Sequence, residues 1–255
     1  MNKFEIQKVR ASHGWLWLKH GYRLIMRSPL HAFSLAMVFA LGIFLAMLIP
    51  VGGIFLAILL MPVLMAGYMR VCRSLEFSEK VEPRQIFAGF ESMTRQLVAI
   101  GGMLLLGMII ISMVTAMLGG TELSNIMASY QAQQDPTALV EALMAPGSGV
   151  QLGLLVGLTL LFVLMLALQF APMLVFFDHL TPMAALKASL RASIRNIVPF
   201  SVYSLIMQLV AFALSVIPLN LGWIVLMPLG LTSMYVAYRD IFSETKTTES
   251  EKAGE

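Results

Sequence analysis

What most limits the folding of this chain is where its cations stand. All 17 lysines and arginines fall in four blocks, residues 1–29, 70–96, 178–196 and 239–255, and the stretches between carry none. Residues 30–69 are forty consecutive positions without Asp, Glu, Lys or Arg. About 20 apolar residues cross a bilayer, so such a run makes two spans. Loops on the cytoplasmic side collect Lys and Arg while translocated loops lose them, so one asymmetry predicts both orientation and number of crossings. The expected fold is all-α: a polytopic membrane protein with six transmembrane helices in three hairpins and cytoplasmic amphipathic interfacial helices. Its expected location is the bacterial inner membrane, with both termini cytoplasmic.

Composition agrees, with 58% hydrophobic and 12% charged residues, outside the range of soluble domains. A net charge of +3 does not point to nucleic acid, because the cations flank apolar segments and face lipid headgroups there. The expected partner is the phospholipid bilayer, with a membrane-protein partner or a second copy of the chain beside it. Cys72 is the one cysteine, so no disulfide framework is expected. The opening 29 residues are basic and Trp-rich with no short apolar core before a small-residue cleavage site, so no cleavable signal is expected.

The expected organisation is a basic amphipathic segment over 1–29, a transmembrane domain over 30–238 and a disordered tail over 239–255. Spans are expected near 30–49, 53–69, 97–118, 151–177, 197–217 and 223–238. Pro50-Val51-Gly52-Gly53 and Pro218-Leu219-Asn220-Leu221-Gly222 turn the first and last hairpins, proline removing a helical donor and glycine permitting the reversal. The loops 70–96 and 178–196 are expected on the cytoplasmic side and 119–150 outside. In that outer loop Leu123, Ile126, Met127 and Tyr130 follow a helical period. Asp135-Pro136 reads as an N-cap and first-turn proline of a second short helix ending by Pro146-Gly147, an interfacial cap or a lid.

Lys19, Arg23 and Arg27 recur as Lys187, Arg191 and Arg195, each 168 positions later, and Pro50 recurs as Pro218 at the same distance. This reads as an internal duplication of basic helix, span, turn and span. A third copy in the middle would begin near Pro83–Arg95, but Arg84, Glu91 and Arg95 do not keep the charge pattern. Pro62, Pro172 and Pro228 each fall inside a returning span and are expected to kink it. Trp15, Trp17 and Tyr22 around Lys19 have the aromatic and basic mix of an interface anchor. In 181–196 a leucine-rich stripe is flanked by the three cations, and Ala185, Ala188, Ser189, Ala192, Ser193 and Asn196 form a small-residue face suited to close helix packing. The headgroup candidates are therefore Trp15, Trp17, Lys19, Arg23, Arg27, Lys187, Arg191 and Arg195.

Inside the spans Gln169 and Gln208 are the largest polar groups, with Ser112 and Thr115, and no ionisable residue lies near a span centre. Ion-coupled pumps need intramembrane charge, so that class is disfavoured. Gly101, Gly102 and Gly107 read as packing positions. His13, His20, His31 and His179 have no metal-ligand spacing. The 20 methionines lack His or Cys neighbours and read as flexible packing. No phosphate loop, nucleophile elbow or paired-carboxylate motif occurs. No catalytic residue, cofactor or metal is expected, and Asp178-His179 reads as the end of the fourth span.

The stretch Asp178-His179-Leu180-Thr181-Pro182-Met183-Ala184-Ala185-Leu186-Lys187-Ala188-Ser189, followed by Asn196-Ile197-Val198-Pro199-Phe200, resembles an element of the YciC-like and related proteobacterial six-helix inner-membrane proteins. Gly14-Trp15-Leu16-Trp17-Leu18 through Arg27-Ser28-Pro29 is similar to the opening of a betaproteobacterial branch of them. The layout also resembles the membrane domain fused to some glycerophosphodiester phosphodiesterases, without their soluble catalytic domain. The resemblance implies a membrane layout and no particular reaction. This chain has His179 where relatives often have glycine. Three function classes follow: a non-enzymatic scaffold or lipid-interacting assembly factor, a small-molecule or lipid transporter using the proline-interrupted helices, and a lipid-modifying enzyme resting on Asp178 and His179 alone.

Overall fold

A computed structural model describes residues 4–144, 148–216 and 222–244. In chain order the elements are β1 (Phe4–Ile6), α1 (His13–Arg27), α2 (Pro29–Met47) and α3 (Gly53–Glu76), then a 3-10 helix (Pro83–Phe87) running into α4 (Ala88–Glu91). There follow α5 (Thr94–Gln133), α6 (Pro136–Met144), α7 (Ser148–Leu168), α8 (Ala171–Asp178), α9 (Pro182–Arg195), α10 (Ile197–Ser215), α11 (Gly222–Ile241) and β2 (Phe242–Glu244). Proline sets several of these boundaries. Ser28, Glu82 and Thr181 precede Pro29, Pro83 and Pro182 with ψ of 80°, 136° and 150°. Proline pushes the residue before it out of the helical region, and its own fixed φ suits the first turn of the next helix.

Among the described residues five helical segments are long and apolar enough to cross a membrane: Pro29–Met47, Gly53–Glu76, Thr94–Ala132, Gly149–Asp178, which takes α7 and α8 together, and Ile197–Ser215. The expected sixth, α11, has the length but carries Thr232, Ser233, Tyr235, Tyr238, Arg239 and Asp240 in its second half. Its polarity, not its length, separates it from the other five.

The chain forms two units. In the smaller, Gly102–Leu166, α5 and α7 pack antiparallel. Added Cβ atoms on Gly149, Gly153 and Gly107 would stand 3.0, 2.8 and 2.8 Å from Leu118 O, Thr115 O and Leu164 Cδ2. The helix α5 breaks at Gly120 (φ 57°, ψ −156°), where the third span was expected to end. Asp135 then caps α6 as expected: its Oδ1 accepts from Thr137 Oγ1 at 2.6 Å and Thr137 N at 2.9 Å. The Thr137 hydroxyl, then the Thr137 and Ala138 amides, hold the Asp135 carboxyl below the ordinary carboxylate range. The expected end of this helix at Pro146-Gly147 and the turn at 218–222 fall largely outside the described residues.

The larger unit, Met1–Gly101 with Ala167–Glu255, holds the main core, in which Trp17, Tyr68, Met69, Phe170, Leu174 and Tyr235 are fully buried. The duplication is visible in its elements. Pro29 and Met47, the ends of α2, lie 168 positions before Ile197 and Ser215, the ends of α10. Ala185, Ser189, Ala192 and Ser193, the buried residues of α9, lie 168 positions after Trp17, Gly21, Leu24 and Ile25, all buried in α1. After the hairpin turn the shift becomes 169. Gly222 then matches Gly53, and buried Thr232, Ser233, Ala237 and Tyr238 match buried Val63, Leu64, Tyr68 and Met69. The last turn is one residue longer than the first.

The middle segment joins this pattern through packing and not through charge. In each repeat a short helical element precedes the first long helix, and it packs on the last helix of the repeat before it. The 3-10 helix and α4 pack on α3, α9 packs on α8, and α1 closes the circle on α11. The approaches are backbone-close. A Cβ on Gly67 of α3 would coincide with the carbonyl of Ile86, and one on Gly21 of α1 would stand 2.8 Å from Ser233 N of α11. At the third contact Ser189 Oγ of α9 accepts from Phe170 N at 3.0 Å.

Several expectations need correction. The fourth span is not one kinked helix: α7 stops at Leu168 and Pro172 lies in the first turn of α8. The Pro172 ring clashes with a helical carbonyl four residues back, at Leu168. Pro62 and Pro228 do remain inside α3 and α11. At Pro62 the carbonyl left without its helical donor, Ile58 O, faces Gly101 of α5 at 2.8 Å from where a Cβ would stand. Gly101 and Gly107 thus pack as expected, whereas a Cβ on Gly102 would meet nothing within 4 Å. In the first turn the left-handed residue is Val51 (φ 62°), not Gly52 (φ −91°). Of the expected disordered tail, residues 239–241 continue α11 and 242–244 form β2, pairing Phe242 with Ile6.

Candidate functional site

The three returning helices end on acidic residues: Glu76 closes α3, Asp178 closes α8 and Asp240 is the penultimate residue of α11. A carboxylate at a helix C-terminus opposes the macrodipole, so such positions need donors. Here each has them. Glu76 Oε2 accepts from Tyr235 OH at 2.5 Å and lies 3.4 Å from Arg239 Nε. Asp178 Oδ2 accepts from Tyr238 OH at 2.6 Å. Asp240 Oδ2 takes Trp17 Nε1 and His13 Nδ1, each at 2.7 Å. The donors at Asp178 and Asp240 come from the repeat that follows in the circle and those at Glu76 from the repeat that precedes it, so the carboxylates tie repeats together.

Arginines complete this layer. Arg27 Nη1 donates to Leu75 O at 2.8 Å and to Glu76 O, capping the carbonyls at the end of α3. Arg195, its counterpart in the duplication, donates from Nη1 to Ile6 O at 2.9 Å. Arg73 lies 5.5 Å over the Phe177 ring and Arg239 lies 5.7 Å over Phe77, within the range of cation–π attraction. Two adjoining cavities of about 290 Å³ each open between α1 and α11, sharing His20, Glu76, Val236 and Arg239.

The expected headgroup residues divide. Trp15 is 53% exposed, and Lys19, Arg23, Lys187 and Arg191 are exposed. Trp17 is not an interface anchor: it is 1% exposed, with its ring 4.9 Å from Phe200. Gly14 and Gly21 flank it at −3 and +4, and Gly14, Trp17, Gly21 and Leu24 make a heptad-spaced face that buries between α10 and α11. That spacing was readable in the sequence; the aromatic and basic neighbourhood outweighed it. Gln169, at the break between α7 and α8, accepts from Ser193 Oγ at 3.5 Å. Gln208 is exposed on α10, and the two glutamines do not converge. His179 ends α8 in the left-handed region (φ 56°), the conformation a glycine adopts without strain.

Sequence reasoning placed Asn196 on a packing face and missed its larger part. It is fully buried. Its Oδ1 accepts from Val9 N at 2.9 Å, and its Nδ2 donates to Gln7 O at 2.9 Å and Ala192 O at 3.0 Å. It moors the N-terminal segment to the junction of α9 and α10.

No protein family profile matches the chain, and no solved structure is similar to it. A protein of Burkholderia thailandensis is 28% identical over 259 residues, covering 93% of this chain and 94% of that one, and is named a "probable inner membrane protein". The apolar helices of the fold and this full-length likeness agree on a membrane protein.

Proposed function

We propose that the chain is a non-enzymatic scaffold or lipid-interacting assembly factor of the bacterial inner membrane, with six spans in three hairpins and both termini cytoplasmic. The pairing of β1 with β2 brings Phe4–Ile6 beside Phe242–Glu244, which supports the reading that both termini share one side and that the number of crossings is even. That parity favours α11 as a sixth span over a five-span layout.

The observation that carries the scaffold reading is the surface of α10. Only 11% of its apolar window is buried, against 56% for α3. Leu205, Leu209 and Phe212 are 63%, 61% and 77% exposed, with Gln208 among them. An amide facing hydrocarbon is satisfied by a neighbouring helix, so this face fits a membrane-protein partner or a second copy. The test is native mass spectrometry of the full chain in nanodiscs, with partner identification. A stoichiometric protein partner or defined oligomer, lost in Gln208→Leu, supports the scaffold. A monomer indifferent to Gln208→Leu contradicts it.

One observation favours transport instead. The helix interrupted at Gln169–Phe170 resembles the discontinuous helices that form substrate sites in transporters. Here Ser189 and Ser193 of α9 meet both residues of the break, a packing use of the same feature. Uptake of a solute by proteoliposomes, abolished by Gln169→Leu, would reverse the order of the two readings.

A further inference from the structure

We infer that the cleft between α1 and α11 is a binding site for a phosphate monoester. His20, Arg23 and Arg27 stand at i, i+3 and i+7 on α1, one face of that helix. With Arg239 and Tyr235 of α11 they line the cavity of about 290 Å³. Three guanidiniums meet a single carboxylate there, Glu76. Arg23 and Arg27 are a like-charged i, i+4 pair, which is destabilising unless an anion joins them. The excess of two positive charges matches a phosphate monoester, which carries roughly −1.5 to −2 near neutral pH and offers three acceptor oxygens.

The cleft is organised before any ligand arrives. Both Nη1 protons of Arg27 are committed to the carbonyls of Leu75 and Glu76, which fixes the plane of the guanidinium. Its Nε and Nη2 protons have no partner among the described residues. Arg239 is held by Glu76 and the Phe77 ring. Arg23 makes no hydrogen bond or ion pair among the described residues, so it is the group left to close on an anion. Leu24 and Val236 line the same cleft and give an apolar wall for whatever the phosphate is attached to. A terminal phosphate reaches a basic layer at the membrane surface from two sources: a lipid of the phosphatidic acid type, or a soluble phosphate ester.

This site deepens the lipid-interacting side of the proposed function and rests on it. The experiment uses the full chain in two arms. Native mass spectra in nanodiscs containing phosphatidic acid or phosphatidylglycerol report retained lipid. Thermophoresis in detergent with glycerol 3-phosphate reports the soluble source. The expected result is saturable binding in at least one arm, with phosphatidic acid retained over phosphatidylglycerol in the lipid arm. Arg23→Gln should weaken it about tenfold, as loss of a charge-assisted contact implies. Lys187→Gln, which removes an exposed cation lining neither cavity, should leave it unchanged. Binding in the lipid arm alone assigns the site to a headgroup; binding of glycerol 3-phosphate assigns it to a soluble ester. Absence of binding in both arms, equal retention of the two lipids without glycerol 3-phosphate binding, or equal losses in Arg23→Gln and Lys187→Gln overturns the site. A protein partner that persists in those spectra leaves the scaffold reading standing while this site falls.

Discussion

Substituting alanine for glycine at three helical positions separates the packing described here from general helix propensity. Within a helix, Gly→Ala gains about 1 kcal/mol from propensity alone. At Gly102 an added Cβ meets nothing within 4 Å, so Gly102→Ala should stabilise by up to that amount. At Gly21 the Cβ would stand 2.5 Å from Ser233 Oγ, 2.8 Å from its N and 2.9 Å from its Cα. The backbone of α11 must move, and overpacking of this kind costs about 1–3 kcal/mol, so Gly21→Ala should be destabilised by up to about 2 kcal/mol net. At Gly67 the Cβ would coincide with a backbone carbonyl, that of Ile86, and the whole 3-10 segment must lift from α3. There the loss should reach or exceed about 3 kcal/mol. The assay is thermal unfolding in one mild detergent, read by tryptophan emission, where about 1 kcal/mol moves the midpoint by roughly 2–4 °C in a chain of this size. The predicted order is Gly102→Ala, wild type, Gly21→Ala, Gly67→Ala. A Gly67→Ala variant as stable as Gly102→Ala would refute the close packing of the middle segment on α3, and with it the threefold layer.

Three further outcomes test separate parts of the fold. In variants retaining one tryptophan, Trp15 and Trp223, 53% and 68% exposed, should be quenched by acrylamide or brominated lipid, and buried Trp17 should resist both; strong quenching of Trp17 would return it to the interface. Asn196→Ala removes three hydrogen bonds and should cost about 2–3 kcal/mol at roughly 1 kcal/mol each. Asn196→Asp should be worse, since a carboxylate would face the carbonyls of Gln7 and Ala192, and an unchanged melting midpoint in both would count against the mooring. Cys72 is fully buried, so maleimide should label it only after denaturation, and rapid labelling of folded protein would place α3 differently.

Much of the span layout was legible because hydrocarbon imposes a simple condition on sequence. The stretch 197–217 corresponds to Ile197–Ser215 and 30–49 to Pro29–Met47. Helix ends in the charged layer were less legible. The helix α3 runs on to Glu76 past Arg70 and Arg73, because a helix need not stop where the bilayer does. Pro172 was seen, but its effect was misplaced, since proline disrupts the carbonyl four residues before it and the break falls at Gln169–Phe170. The third repeat was obscured by its missing charges; its signature is the close approach of Gly67 to Ile86, which no local pattern encodes. The β1–β2 pair joins residues more than 230 apart, and three-residue strands leave no periodic signal. The site residues were legible as types and not as partners: Arg27 and Arg195 were found, but that both spend Nη1 on backbone carbonyls depends on tertiary placement.

Sidedness is the most direct test of the account as a whole. Reporters that distinguish cytoplasm from periplasm would be fused at the N-terminus, after residues 79 and 133, and at the C-terminus. A cytoplasmic location for both termini and residue 79, with residue 133 periplasmic, is the predicted result. Termini on opposite faces, or a cytoplasmic residue 133, would contradict the six-span scaffold.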